Sequence, residues 1–365
     1  MKIVAEMWSE IQSNLFSYLT ECLNGPLTEK LRQVISVLEV VRVEEYISRC
    51  YRQRYGRPLC DRRILARAFV AKAVYNLPTT LLLIDMVQSQ PSLRRVLGWE
   101  RVRDIPDEAT FSRAFAEFAA LGLGDIVHAG LVSTHVGSQI VMHVSLDSTE
   151  IDARERPLKK AKAEPKVPRK RGRPGKNEVR EPVEGRRILR QMTQTPEAAF
   201  FELPKLCDWG TKKNSHGSYH RWKGWKAHIL WGDDNIPLRV ITTSASLHDS
   251  QVAIPLIRDT AQQVTWCYDL MDSAYDAEEI HQVSRSCGHA PIIDIHPRRK
   301  NAPPFDPPTA HRYKERTTAE RGNSRLKDEF SGCTLRVRGH AKAHMHIMFG
   351  ILALFADQIM KPMTC

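Results

Sequence analysis

The spacing of the apolar residues changes once along this chain, and that change limits the folds that it can adopt. Up to about residue 135 the apolar residues recur three and four positions apart, as in Leu31, Val34 and Leu38, which is typical of amphipathic helices. Beyond that point short apolar runs alternate with helical patterns, which predicts a mixed α/β sheet. The chain has 365 residues, and one hydrophobic core holds about 250–300 residues. We therefore expect an all-helical domain over 1–135 and an α/β domain over 136–360.

The α/β part begins with an apolar run that predicts a strand. We expect this strand over Ile140–Leu146, ending at Asp147, and a later strand over Val264–Met271, ending at Asp272. Three further elements are predicted, the two strands of a hairpin and a long C-terminal helix: Trp225–Trp231, Pro237–Thr243 and Thr309–Glu329.

The positive charge is concentrated in one polar segment. The chain has a net charge of +12, and residues 154–190 hold fifteen Lys and Arg against five Glu. This segment has few large apolar residues, so we expect a mobile basic insertion at 154–200. A charge of this size predicts a polyanionic partner, and nucleic acid is the first candidate.

Within the insertion, Arg171-Gly172-Arg173-Pro174 matches the core of a short motif that lies in the minor groove of A·T-rich DNA. Lys170 adds charge directly before it. The alternative interpretation is a loop that binds phosphates without sequence preference. Both interpretations predict that Lys170, Arg171 and Arg173 contact DNA.

Other features restrict the class of protein. The N-terminus lacks the pattern of a secretion signal and no apolar stretch is long enough for a membrane span, so we expect a cytoplasmic protein without membrane contact. The eight cysteines form no C-x-x-C pair, which argues against a zinc ribbon and a disulfide framework. His340 and His344 share a helix face, but the sequence places no Cys or acid there, so we do not expect zinc.

Two predicted strands end on aspartates, and α/β sheets place ligands at the carboxyl ends of neighbouring strands. Asp147 and Asp272 can therefore bind a divalent cation together, since hard cations prefer oxygen ligands. Two such ions, about 3.5–4 Å apart, activate a water or a 3′-hydroxyl against a phosphodiester. A third carboxylate is needed, and Glu320 on the long C-terminal helix is the strongest candidate. Taken singly, a strand-end aspartate is more often a turn or cap residue.

Glu320 shares its helix face with two cations and a phenol. At about 100° per residue, three residues fall within about 40° of it: Tyr313, Arg316 and Lys327. We expect them to grip phosphates beside the metal. Asp328, offset by about 80°, is the only rival acid. The alternative interpretation is a solvated face of salt bridges.

These residues carry a resemblance to a known family. The run from Tyr313 to Lys327 fits the Y-(2)-R-(3)-E-(6)-K signature of the DDE transposases of bacterial insertion sequences, in the broad group around insertion sequences four and five. Leu146-Asp147-Ser148-Thr149 resembles the first-aspartate motif of that family. Asp272-Ser273-Ala274-Tyr275-Asp276 resembles the second, with Ala274 where Gly is common. Since Ala avoids positive φ, we expect an ordinary turn there and an unharmed metal site.

The resemblance covers most of the chain from about residue 45 on. The runs from Lys223 to His228 and from His248 to Ser250 resemble the hairpin and loop between the two aspartates. Pro106–Phe118 resembles the helical domain that often precedes the catalytic one, and such a domain either binds DNA or packs on its neighbour. The family implies an RNase-H-like fold for about 140–350.

The resemblance also implies a function. It implies a metal-dependent DNA transposase in which Asp147, Asp272 and Glu320 are catalytic and coordinate Mg²⁺, for which Mn²⁺ can substitute. Its partner would be double-stranded DNA, cut at the inverted-repeat ends of a transposon and joined to target DNA. The working synaptic complex would be a homodimer on the bacterial nucleoid. A nuclease of the same fold that does not join ends, and a DNA-binding remnant without activity, are the alternatives.

Overall fold

The computed structural model describes residues 27–48, 60–157, 185–213, 217–295 and 304–361. Its helices are α1 (Glu29–Val41), α2 (Arg62–Val74), α3 (Thr80–Ser89), α4 (Pro91–Leu97), α5 (Glu108–Leu121), α6 (Leu123–His135), α7 (Arg187–Gln191), α8 (Pro196–Phe201), α9 (Ser250–Thr260), α10 (Glu278–Ser286), α11 (Pro307–Tyr313), α12 (Thr317–Glu329) and α13 (His340–Ile359). Its strands are β1 (Ile140–Ala153), β2 (Asp208–Lys213), β3 (Tyr219–Trp231), β4 (Pro237–Ser244), β5 (Thr265–Met271), β6 (Ala290–Ile293) and β7 (Thr334–Leu335).

An aromatic cluster joins the helical part of the chain to its last helix. Phe69 of α2 contacts three rings of α5 at centroid distances from 5.0 to 6.3 Å: Phe111, Phe115 and Phe118. The same ring stacks on Phe349 of α13 at 5.4 Å. Aromatic pairs at these distances are stabilising beyond the area that they bury. Helices α2 and α5 are therefore packed on the C-terminal helix of the chain.

Helix α13 lies between the two parts of the molecule. Its central residues, from Met345 to Ala356, are apolar on nearly every side, and almost all of them are buried. A helix that is apolar all round is stable only in the interior of a protein. It contacts α1, α2, α5 and α6 on the helical side and β4 of the sheet. The described helices and strands thus share one continuous core.

The strands of the described residues form one mixed sheet. Its order is β2-β3-β1-β5-β6, with β4 paired to β3 and β7 paired to β1. The three strands β1, β5 and β6 are parallel, and β3 is antiparallel to β1 and β4. This confirms the expected RNase-H-like α/β domain after a helical region.

The first strand is longer than its apolar run indicates. The prediction that it ends at Asp147 is wrong, because β3 pairs along β1 from Ser145 to Asp152 and β7 pairs with its last residue, Ala153. The parallel partner β5, however, pairs only as far as Leu146. Asp147 therefore marks the end of the parallel ladder and not the end of the strand.

The predicted hairpin is present, and β3 continues beyond it. Trp225–Trp231 pairs with β4, as expected, while the earlier residues of β3 pair with β2. Gly224 stands at the change of partner with φ 151°, and a Cβ atom there would lie 2.1 Å from the carbonyl oxygen of Ile151. Only glycine fits this close approach of two strands.

The last part of the predicted mobile insertion is folded. Helices α7 and α8 occupy residues where a loop up to residue 200 was expected, and this prediction is wrong for them. Arg258 of α9 donates to the carbonyl oxygens of Gln191 and Met192 at 3.1 and 2.8 Å. These hydrogen bonds hold the end of α7 on α9. Thr195 caps α8, and Pro196 opens it, a start signal that outweighs the polar composition. Residues 158–184, with Lys170, Arg171 and Arg173, lie outside the described residues.

The long C-terminal helix is interrupted. The prediction of one helix over Thr309–Glu329 is wrong, since Lys314–Arg316 forms a 3₁₀ turn between α11 and α12. The hydroxyl of Thr317 donates to the carbonyl oxygen of Lys314 at 3.0 Å and so competes with the α-helical pattern. Within the described residues no single helix is long and apolar enough to cross a membrane, although α5 and α6, bent by 59°, pass that test as a pair.

Candidate active site

The register of two parallel strands places Asp147 and Asp272 next to each other. Leu146 of β1 is paired with Met271 of β5, and each aspartate is the residue that follows. Asp272 then caps a short turn, because its carboxylate accepts a hydrogen bond from the Ala274 N–H at 2.9 Å. Ala274 lies in this turn without positive φ, so the ordinary turn expected there is confirmed.

The two aspartates are electrostatically strained by their surroundings. Burial, together with the nearby charge of Asp272, raises the pKa of Asp147 to about 6. Burial also raises the pKa of Asp272, and the charge of Asp249 adds to that effect. Lys212 and Arg316 act in the opposite direction on both carboxylates, without cancelling the shift. Two such carboxylates form a place where a cation binds favourably.

Helix α12 is docked beside the first aspartate. Asn323 donates from Nδ2 to Oδ2 of Asp147 at 2.9 Å. Gly322 allows the close approach, since a Cβ atom there would lie 2.6 Å from the ring of Trp231. Glu320 stands one helical turn before Asn323. The helix that carries the third predicted acid is thus anchored at the site.

The carboxylate of Glu320 itself is turned to solvent. Its side chain is 56% exposed, and Oε1 accepts a hydrogen bond from Nη2 of Arg316 at 2.6 Å. The guanidinium of Arg316 lies 5.7 Å from the ring centroid of Tyr313. Burial raises the pKa of Tyr313 to about 12, and the charges of Asp272 and Glu320 also raise it. Tyr313 and Arg316 therefore lie within electrostatic reach of the acids.

Lys327 lies farther along the same helix. Its Nζ is 3.7 Å from Oε1 of Glu150, which follows Asp147 by three residues on β1. Its partner in the structure is therefore this glutamate, at the rim of the site. Asp328, the rival acid, is exposed, and its carbonyl oxygen accepts a hydrogen bond from Asn76.

Several residues at the site were not predicted from the sequence. Asp249 accepts a hydrogen bond from the Lys226 ammonium at 2.9 Å, and its charge acts on Asp272. The charge of Lys212 on β2 lowers the pKa of both Asp147 and Asp272. The sequence offers one signal for Asp249, the run His248-Asp249-Ser250, but Asp249 is equally plausible as a helix cap. Its side chain makes no capping hydrogen bond to α9.

Nearby histidines are engaged in structural contacts. His228 is fully buried with its Nε2 2.8 Å from the hydroxyl oxygen of Thr243, and burial lowers its pKa to about 4. His344 lies between Thr242 and Asp125, at 2.9 Å from each. An acid is therefore beside this histidine, contrary to the expectation from the sequence. It forms a hydrogen bond with His344 and is part of the contact between α6 and α13.

The donor atoms suit a divalent cation only in part. Asp147 and Asp272 supply paired carboxylate oxygens. Burial raises the pKa of both groups, so a cation beside them would stabilise their charged forms. Among the residues that the structure describes, no three His, Cys, Asp or Glu side chains are gathered closely enough to hold a metal ion. A three-acid site thus requires Glu320 to leave Arg316 and turn toward the aspartates.

The strand order and the paired aspartates define the class of the domain, an RNase-H-like DDE domain. A family model described as "Transposase DDE domain" matches residues 142–356, and one described as "Transposase domain (DUF772)" matches residues 23–117. The first match covers more than half of the chain, and the chain belongs to the DDE transposase family. No curated protein and no solved structure matches it. Membership implies binding of transposon-end DNA and a nuclease or transesterase activity, for which the family typically uses a divalent metal.

Proposed function

We propose that the protein cuts DNA at the inverted-repeat ends of its transposon and joins the freed 3′-hydroxyl to target DNA. The observation that carries the proposal is the pairing of Leu146 with Met271, which sets Asp147 and Asp272 side by side. The hydrogen bond from Asn323 to Asp147 then brings the helix of Glu320 to the same place. Three acids on two strands and one helix are the arrangement that the family signature describes.

Asp147, Asp272 and Glu320 would hold the cations, Mg²⁺ or Mn²⁺. When bound, such ions supply Lewis acidity and an activated water or 3′-hydroxyl. Asp147 and Asp272 are preset by the sheet, so they contribute a fixed part of the cage. Asn323 keeps the first carboxylate oriented by its hydrogen bond at 2.9 Å.

Arg316 links DNA binding to the third acid. Its guanidinium is paired with the carboxylate of Glu320 at 2.6 Å. A phosphate of the DNA backbone offers Arg316 a competing bidentate partner. When Arg316 moves to the phosphate, Glu320 is released to join the aspartates. Tyr313 stays beside Arg316 and limits its motion.

Lys327 and Lys212 flank the acids and hold further phosphates of the DNA. Lys327 is near the first strand through Glu150, and Lys212 lies on the edge strand β2. Cations on two sides of the acids direct the scissile phosphodiester between them. Lys170, Arg171 and Arg173 remain proposed DNA contacts of the basic insertion. The working species is proposed to be a homodimer that holds two transposon ends.

The test is a cleavage and joining assay with the purified protein, Mg²⁺ or Mn²⁺, a target plasmid and a labelled duplex. The duplex carries the inverted repeats that flank the gene. We expect cleaved ends and joined product with the wild type and neither with Glu320→Gln. Cleavage without joining would favour a nuclease, and tight DNA binding without any cleavage would leave a DNA-binding remnant.

A further inference from the structure

A cavity of about 540 Å³ lies between the helical part of the chain and its C-terminal segment, away from the acids. Helices α2, α3 and α5 line one side, and the residues from Ser331 to α13 line the other. The transposase chemistry proposed above makes no use of this cavity. Its lining is nevertheless unusual in charge.

Cations surround the cavity. Five of its lining residues are positively charged, and they come from three separate parts of the chain: Lys72, Arg154, Arg336, Arg338 and Lys342. The one acid in the lining is Glu108. No side-chain hydrogen bond or ion pair joins any of the five to another residue of the part of the chain that the structure describes. Five like charges with a single acid among them repel each other, and an anion would relieve that repulsion.

Among these five charges, that of Lys72 has the largest desolvation penalty. Lys72 is only 7% exposed, and burial, with the charge of Arg336 beside it, lowers its pKa to about 8. A largely buried lysine that has no carboxylate partner among the described residues is destabilising unless something of opposite charge reaches its ammonium group. Arg336, Arg338 and Arg154 are exposed, so the cavity opens to solvent through a cationic rim.

A second buried group points to the same ligand. Ser331 is 8% exposed, lines the cavity, and its hydroxyl has no hydrogen-bond partner among the described residues. Its backbone is held at φ 64° by Asn76, which accepts from the Ser331 N–H at 2.8 Å. A serine rarely adopts this conformation, so the surrounding structure enforces its position. The hydroxyl is thus a preset donor for an anionic oxygen.

The N-terminal end of α3 adds a third element. Pro78 to Leu81 line the cavity, and Thr79 caps the helix with a hydrogen bond from the Leu82 N–H. The helix has ten residues, and the positive end of its dipole favours anions. The ammonium of a largely buried lysine, a preset hydroxyl, a helix N-terminus and an arginine rim are the components of a phosphate site.

We propose that this cavity binds one phosphate of the DNA backbone and fixes the helical part of the chain on transposon-end DNA. The inference rests on the proposed DNA substrate. The exposed arginine rim favours a phosphate that belongs to a large ligand at the surface over a small anion that is fully enclosed. Because Asn76 joins α2 to the end of α12 through Ser331 and Asp328, this phosphate also secures the helix that carries Glu320.

The test is the salt dependence of inverted-repeat DNA binding by Lys72→Met, measured by fluorescence anisotropy without metal. Each phosphate contact adds about 0.9 to the log–log slope, so the slope should fall by about 1 and affinity by about 5- to 10-fold near physiological salt. Ser331→Ala should weaken binding in the same direction. Lys30→Met, which removes a lysine outside the cavity, should leave the slope unchanged.

Other outcomes separate this inference from the proposed function. Lys72→Met removes a buried charge, so it should melt at the same temperature as the wild type or higher, which excludes misfolding as the cause. An unchanged slope in a folded Lys72→Met protein overturns the phosphate site alone. Binding of inorganic phosphate in calorimetry, with unchanged DNA binding by the variant, shows a free-anion site and also overturns it. If the wild type fails to bind DNA, the proposed function fails as well.

Discussion

The two aspartates and Glu320 differ in how the fold holds them. Asp147 and Asp272 are fixed by a strand register, partly buried and electrostatically strained. Glu320 is 56% exposed and paired with Arg316 on its own helix. The sheet therefore presets two thirds of the proposed metal cage, at a cost in stability. The helix carries the last third, whose carboxylate is exposed and not strained by burial, so the proposed cage requires this side chain to turn toward the aspartates.

The largest expected effect is common to all three acids. In Mn²⁺, Asp147→Asn, Asp272→Asn and Glu320→Gln should each lower end cleavage at least about 1000-fold, or roughly 4 kcal/mol of transition-state stabilisation. Each substitution removes one oxygen donor and its charge. Asp85→Asn, on the exposed surface of α3, is the matched control and should retain cleavage. Near wild-type cleavage by Glu320→Gln would show that Asp147 and Asp272 suffice for cleavage and that Glu320 is not part of the metal site.

A smaller effect is expected for the residue that restrains Glu320. Arg316→Met frees the carboxylate but removes a phosphate ligand, so single-turnover cleavage should fall by about 10- to 100-fold. Arg316→Lys restores the charge without the bidentate geometry and should recover part of the loss. If Arg316→Met cleaved faster than the wild type, the arginine would be only an inhibitor of Glu320. The proposed phosphate contact would then be wrong.

The smallest effect concerns stability. Folding raises the pKa of Asp147 from 3.8 to about 6, so the folded state binds its proton more tightly than the unfolded state. The resulting stabilisation is fully present below pH 3.8 and is lost as the pH rises through 6. At pH 7 without metal, Asp147→Asn should therefore be more stable than the wild type by about 1–3 kcal/mol.

The matched variant for this prediction is Glu320→Gln, whose carboxylate is exposed and which should melt within about 1 °C of the wild type. Denaturant unfolding at pH 4 and pH 7 measures both proteins. The gain for Asp147→Asn should shrink toward pH 4, where the wild-type carboxyl is protonated. Equal stability of the wild type and Asp147→Asn at pH 7 would show that the aspartate is not strained.

The sequence predicted the fold well where periodicity and register agree. The hairpin around Trp225 follows from apolar spacing and turn residues, and it is confirmed. The end of β1 was misplaced because pairing with β3, a tertiary contact, decides how far the strand runs beyond Asp147. The break before Thr317 was missed because it depends on one side-chain hydrogen bond to a carbonyl oxygen.

The site was predicted in part for a similar reason. An aspartate directly after an apolar run and a helix motif with fixed spacing can both be recognised from neighbouring residues in the sequence. Asn323, Asp249 and Lys212 act at the site through contacts between distant segments, and nothing in their local patterns requires this. The ion pair between Glu320 and Arg316 joins residues four positions apart in the sequence. Helix geometry allows such a pair, but the sequence does not show whether the pair forms or the carboxylate faces solvent alone.

The most direct test of the three-acid account is the binding of Mn²⁺, followed by electron paramagnetic resonance, in the wild type and in the single variants. We expect saturable binding to the wild type that Mg²⁺ displaces, loss of this binding in Asp147→Asn, and binding at least about tenfold weaker in Glu320→Gln. Adding uncleavable inverted-repeat DNA should tighten binding in the wild type but not in Glu320→Gln. Equal Mn²⁺ binding by the wild type and Asp147→Asn would contradict the proposed three-acid site, because Asp147 would then hold no metal.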